Sequence, residues 1–215
     1  TILQTIEAGI PNNLEKSSYG YYYDFLITSA LQSVHLENKE MYTYNNLLSE
    51  FAYHLYLNKD YSLSKEAFTA FFNNYIIEYD LSLKLDEVTT NLLNAKIINN
   101  TSNEYYFNYK YLYYYYLAKY IADNINEDKV SNEIVNFAKK SYHSFNSNVL
   151  MFLTHLSKNP LIIECIIDEA KNCFRMFSEI ELEKDITIIN ELIDEVPELV
   201  IKNISAEKAH DDQLR

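Results

Sequence analysis

The sequence predicts an all-α fold, a multi-helix array interrupted by one short β-hairpin. Three observations lead there. With only 2 Gly and 3 Pro in 215 residues, the chain has little material for the tight turns of a many-stranded sheet. Apolar residues recur at helical spacing along most of its length. The pattern switches to a strand-like period once, around residues 96–108. An apolar share of 48% and a charged share of 23% describe an ordinary folded protein, long enough for one large helical domain or two small ones.

The stretch from Glu104 to Ile125 organises the rest. Tyr114, Leu117, Ala118, Ile121, Ala122 and Ile125 recur at i, i+3, i+4, i+7, i+8 and i+11, the stripe of a core-facing helix. Tyr109, Tyr113, Tyr116 and Tyr120 follow the same period on a neighbouring face. These four form the expected aromatic core, and little of the helix is left for water except near Lys119 and Asp123. Each buried Tyr brings a hydroxyl that needs a partner. A helical aromatic stripe is ordinarily core and not a ligand cage.

The elements follow in order. Residues 1–8 read as a helix stopped at Gly9 and Pro11, and a linker leads to a buried helix at about 19–34 carrying Tyr22, Phe25, Leu26, Ser29 and Ala30. Asn38 to Thr43 reads as a polar break before an amphipathic helix from Tyr44 to Leu57. Ser62 or Ser64 can cap the next helix, which buries Phe68, Phe71, Phe72, Tyr75 and Ile76. Leu85 to Asn94 is short, with Asp86 and Glu87 at its positive end. Residues 96–98 and 105–108 then form the only expected β-structure, a hairpin around an Asn/Thr/Ser turn at 99–103. Three helices followed by a hairpin is the order of a winged helix, so 42–109 is expected to be a winged-helix-like unit. It would follow an N-terminal helical segment at 1–41 and precede a C-terminal bundle at 110–204. That bundle would hold helices at 128–139, 148–156, 160–177 and 185–196, the third opened by Pro160. A further helix would start at Pro197, and the charged residues 205–215 read as a disordered tail.

The formal net charge of −13 repels a phosphate backbone, so nucleic acid is not an expected partner. No apolar run reaches the 18 or so residues of a membrane span, and no signal-peptide pattern opens the chain, so a soluble, cytoplasmic protein without a membrane partner is expected. Cys165 and Cys173 have no second pair and read as buried thiols of a reducing compartment. The chain starts at Thr1 already in helical register, as expected of a piece of a longer polypeptide.

No catalytic, cofactor-binding or metal-binding residue emerges. His35, His54, His143, His155 and His210 are scattered, whereas metal and acid–base sites need clustered partners. Gly9 and Gly20 are not followed by the Lys-Ser or Lys-Thr of a phosphate loop, and no G-x-S-x-G elbow occurs. The acidic run from Glu179 to Asp185 reads most simply as a solvated helix face. The segment is not expected to be an enzyme.

Several phrases resemble the region that follows the nucleotide-binding core of bacterial STAND NTPases, signalling ATPases related to NACHT and NLR proteins. They are S-S-Y-G-Y-Y-Y-D-F-L-I at 17–27, L-L-N-A-K-I-I at 92–98, Y-Y-F-N-Y-K-Y-L-Y-Y-Y-Y-L-A-K-Y-I-A at 105–122 and F-L-T-H-L-S-K-N-P at 152–160. The resemblance rests on helix-packing residues. It implies a non-catalytic regulatory and interaction region whose partner is an upstream nucleotide-binding domain of the same chain, with ATP and Mg²⁺ bound only there. It further implies coupling of a trigger to homo-oligomerisation, and a role in defence against phage. In related NTPases a winged-helix residue touches the nucleotide's phosphates in the resting state, and His54 is the candidate for that contact. The alternative is a free-standing all-helical protein that binds a partner or a small apolar ligand in a tyrosine-lined groove.

Overall fold

The computed structural model of the chain describes residues 18–36 and 38–175, together with 187, 190 and 191. The expected helix at 1–8, the Gly9 break, His210, the helix from Pro197 and the charged tail lie outside the described residues, as does the 185–196 helix apart from three positions. Chain contacts divide the molecule into two units, Thr1–Asn172 and Cys173–Arg215. In the second unit, Cys173, Arg175 and residues 187, 190 and 191 are exposed.

The described residues are mostly helical, with a small antiparallel sheet. The helices are α1 (Ser18–Gln32), α2 (Asn38–Asn58), α3 (Lys65–Glu78), α4 (Leu85–Asn94), α5 (Lys110–Asp123), α6 (Asp128–Lys139), α7 (Ser144–Leu156) and α8 (Pro160–Phe174). The strands are β1 (Leu63–Ser64), β2 (Ile98–Thr101) and β3 (Glu104–Phe107), in the order β1-β3-β2.

Two boundaries differ from expectation for local reasons. The polar run 38–43 is not a break but the first turns of α2. Glu40 lies near the helix's positive end, Met41 is buried, and Asn45 donates its amide to the Met41 carbonyl. Similarly, α7 starts at Ser144, one turn before its apolar run, because short polar side chains bond back to the backbone there, as Asn148 does to the Ser144 carbonyl.

The hairpin is not the only β-structure, since β1 adds a third strand. Leu63 pairs with Tyr105 and Ser64 with Glu104. Ser64 also caps α3, its Oγ accepting from the Ala67 amide at 3.2 Å, whereas the Ser62 hydroxyl donates to Glu104. The first hairpin strand starts two residues later than expected because Lys96, with φ of 56°, ends the α4 segment in a left-handed step, whereas the second starts one residue earlier, at Glu104. Asn99 and Asn100 are strand residues opposite Tyr106 and Tyr105, and the turn shrinks to Ser102 and Asn103, both at positive φ (56° and 63°). Two such residues make the mirror-image turn whose twist suits a two-residue hairpin.

The core is one contiguous cluster running from Ile27 to Ile162. It does not break at 109/110, where the winged-helix-like unit was expected to end. Helix α5 packs most extensively against α7 and α2, so its residues join the two parts. Leu112, Tyr115, Tyr116, Leu117, Ala118 and Ile121 of α5 are all buried. α3 contributes Phe68, Phe71, Phe72 and Tyr75, and Phe51 of α2 meets Phe68 edge-on at 5.2 Å. In α8 Ile162 is buried, Ile166 is half-buried, and Ile163 and Ile167 are exposed. Cys165 is half-buried and Cys173 exposed, so the expectation of two buried thiols does not hold.

Candidate functional site

The tyrosines of α5 are held by specific partners. Tyr116 is fully buried and its hydroxyl donates to Asn45 Oδ1 of α2 at 2.9 Å. One residue earlier, Tyr115 points to another face and donates to Asp24 Oδ1 of α1 at 2.7 Å. Tyr113 is buried against Phe107, the rings stacked at 5.8 Å, and Tyr120 is half-buried and stacks on Tyr53 of α2 at 4.0 Å. Burial pushes the hydroxyl pKa of all four above the ordinary tyrosine value; at Tyr115 the adjacent Asp24 carboxylate adds to the shift. Among the described residues no buried side-chain polar atom lacks a hydrogen-bond partner.

Tyr109 does not belong to this core. It is 51% exposed, because it precedes the first turn of α5 in an extended conformation (φ −130°, ψ 142°), and among the described residues it stacks only on Tyr111. The helical period that links it to Tyr113 on paper starts one residue later in space. Tyr115, absent from the expected aromatic face, takes its place as a buried ring.

A cleft of about 390 Å³ opens beside β3 and the loop before β1. Tyr61, Tyr106, Phe107 and Tyr113 give it aromatic walls, and Ser62, Glu104, Asn108 and Lys110 place polar groups around them. Tyr61 is 67% exposed and meets Tyr113 edge-on at 6.0 Å. Both rings also line a smaller adjoining cavity with Tyr56 and Phe145. Concave, aromatic walls with a few polar groups are the usual form of a binding cleft. Among its polar groups, the Ser62 hydroxyl donates to Glu104 Oε2 at 2.7 Å.

His54 lies on α2 against Phe71, the ring centroids 5.2 Å apart. It lines a separate cavity with Glu50 and Glu78, and burial lowers its pKa. A neutral imidazole beside two carboxylates is a poor ligand for a polyphosphate. Among the described residues no group of three or more His, Cys, Asp and Glu could hold a metal ion, and no helix is long and apolar enough to cross a membrane.

A family model described as Novel STAND NTPase 4 matches residues 61–117. That stretch is similar to the STAND NTPase family. It runs from Tyr61 ahead of β1 to the middle of α5, and all eight residues lining the larger cleft fall within it. Of the phrases that carry the sequence resemblance, 92–98 and most of 105–122 lie inside the match, while 17–27 and 152–160 lie outside. Comparison with curated proteins and with solved structures finds no match to the chain.

Proposed function

We propose that the chain is a non-catalytic regulatory and interaction region of a larger STAND-type signalling NTPase. The family match at residues 61–117 carries this reading. The element order supports it: the succession α2, β1, α3, α4, β2 and β3, with the sheet ordered β1-β3-β2, is read here as a winged-helix-like unit. A DNA-reading winged helix would carry Lys or Arg on its recognition helix, whereas the charges within α4 are Asp86 and Glu87.

In this reading a nucleotide-binding domain upstream in the same cytoplasmic chain holds ATP and Mg²⁺, and the region described here packs against it in the resting state. Release of that contact couples a trigger to self-association, in a bacterial response such as defence against phage. The deciding experiment extends the reading frame upstream of Thr1. A G-x-x-x-x-G-K-[ST] sequence there, with ATP hydrolysis by the longer protein that is lost when its Lys is replaced, is the expected result. A Met immediately before Thr1 would overturn the reading.

The aromatic cleft favours a second reading, a free-standing helical protein that takes a partner or a small apolar ligand at Tyr61, Tyr106 and Tyr113. The same extension separates the two.

A further inference from the structure

We propose that the cavity between α2, α3 and α5 receives the guanidinium group of an arginine side chain presented by a protein partner. Its volume of about 270 Å³ lies just under the roughly 300–1,000 Å³ of sites that take a whole small molecule, and has room for one long side chain.

The walls are aromatic. Tyr53 and Tyr120 stack at 4.0 Å with their planes 13° apart, and Phe71 and Tyr75 of α3 line the same space. The Tyr53 and Tyr120 rings each cover one face of the other, so a cation can lie only over an outer face, where the negative electrostatic potential attracts it. Two carboxylates supply the charge, Glu50 from α2 and Glu78 from α3. The Tyr79 hydroxyl donates to Glu50 Oε1 at 2.6 Å and fixes that carboxylate, so Oε2 can accept one arm of a guanidinium fork.

Acidic residues on a surface are ordinarily just solvated. Here they stand in a cavity with stacked rings, and the charges that act on Glu50 are those of Glu78 and Glu127, both negative. Burial, followed by those two charges, raises the Glu50 pKa, a disadvantage that a bound cation removes. The only imidazole in the wall is His54, whose burial favours its neutral form, so it does not fill the role of that cation. Leu57 at the rim, 59% exposed, offers apolar surface to the aliphatic stem of an arginine. A planar fork that stacks on tyrosine and spans two carboxylates is arginine chemistry, which an ammonium head reproduces poorly. The chain's net charge of −13 draws basic partner surfaces at long range.

The test titrates a capped Gly-Arg-Gly tripeptide into the 215-residue chain and follows the ring resonances of Tyr53 and Tyr120 by NMR. Capped Gly-Lys-Gly is titrated in parallel. Saturable shifts of both rings are expected with the arginine peptide, and weaker binding of the lysine peptide. Glu50→Gln keeps an acceptor for Tyr79, and Glu78→Gln alters an exposed side chain, so both variants retain the fold. Each should weaken binding about fivefold, whereas Glu164→Gln on the exposed face of α8 should leave it unchanged. The proposal is overturned if the two rings do not shift up to about 10 mM peptide. It fails equally if lysine binds as well as arginine, or if Glu164→Gln weakens binding as much as Glu78→Gln does.

Discussion

Replacing Tyr116 with Ala takes away a ring that no solvent reaches, wedged between Phe107 at 5.8 Å and Tyr115 at 5.2 Å. Truncation of a large aromatic in a packed core costs about 3–5 kcal/mol in lost transfer energy and cavity. The Asn45 carboxamide loses the hydroxyl that donates to it, adding about 0.5–1.5 kcal/mol. The sum, roughly 4–6 kcal/mol, approaches the whole stability of an ordinary domain at about 5–15 kcal/mol. For a chain of this length it corresponds to a fall in Tm of roughly 10–20 °C, read by circular dichroism and by urea titration. Tyr116→Phe isolates the hydroxyl and should cost about 0.5–1.5 kcal/mol, which keeps the comparison readable even if the Ala variant does not fold. Tyr109→Ala, at an exposed position ahead of α5, should stay within about 0.5 kcal/mol of the parent. A Tyr116→Ala variant within about 1 kcal/mol of the parent, or a Tyr109→Ala variant as damaged, would refute the assignment of the core rings.

Alkaline titration followed by tyrosine absorbance should show Tyr115 and Tyr116 ionising above the ordinary tyrosine value, in a cooperative step as the fold opens. The folded-state pKa of Tyr115 and Tyr116 is raised, so the stability they contribute is intact below pH 10.0 and is lost as the pH climbs through their higher folded values. A smooth single titration of all 21 tyrosines would contradict their burial. The chain should not bind duplex DNA at micromolar concentration and physiological salt, because α4 carries Asp86 and Glu87 and no basic residue; binding that weakens as salt rises would count against this. Calorimetric titration with ATP and Mg²⁺ should give no micromolar site in this segment, and finding one would mean that a nucleotide pocket lies within it.

The centre of the fold was legible because its signal is periodic. Leu117, Ala118 and Ile121 recur at helical spacing, and the structure buries all three. Tyr115 escaped because it lies off both stripes; α1 covers it, and no pattern within α5 reports where Asp24 will be. Tyr109 was misplaced because a four-residue spacing carries meaning only once the helix has begun, and its extended backbone precedes α5. β1 was invisible since two residues cannot alternate, and Ser64 gives the stronger signal of a helix cap. Asn99 and Asn100 resemble turn residues locally, yet pairing with β3 overrides that preference. A tyrosine-lined groove was among the expectations, but the residues that line the cleft were out of reach. Tyr61 and Tyr106 are far apart in sequence, and only the β1–β3 pairing makes them neighbours.

The two tyrosine bonds of α5 also set a timetable for synthesis. Asp24 waits for a residue 91 positions downstream and Asn45 for one 71 positions downstream. At translation rates of roughly 5–20 residues per second, α1 leaves the ribosome on the order of 5–20 s before Tyr115 exists to bind it. During that interval Ile27, Leu31, Phe51 and Leu55, all buried in the finished molecule, have no α5 to cover them. Phe51 can meet Phe68 and Phe71 as soon as α3 is made, but α1 and α2 receive their tyrosine partners only when the tyrosine helix emerges.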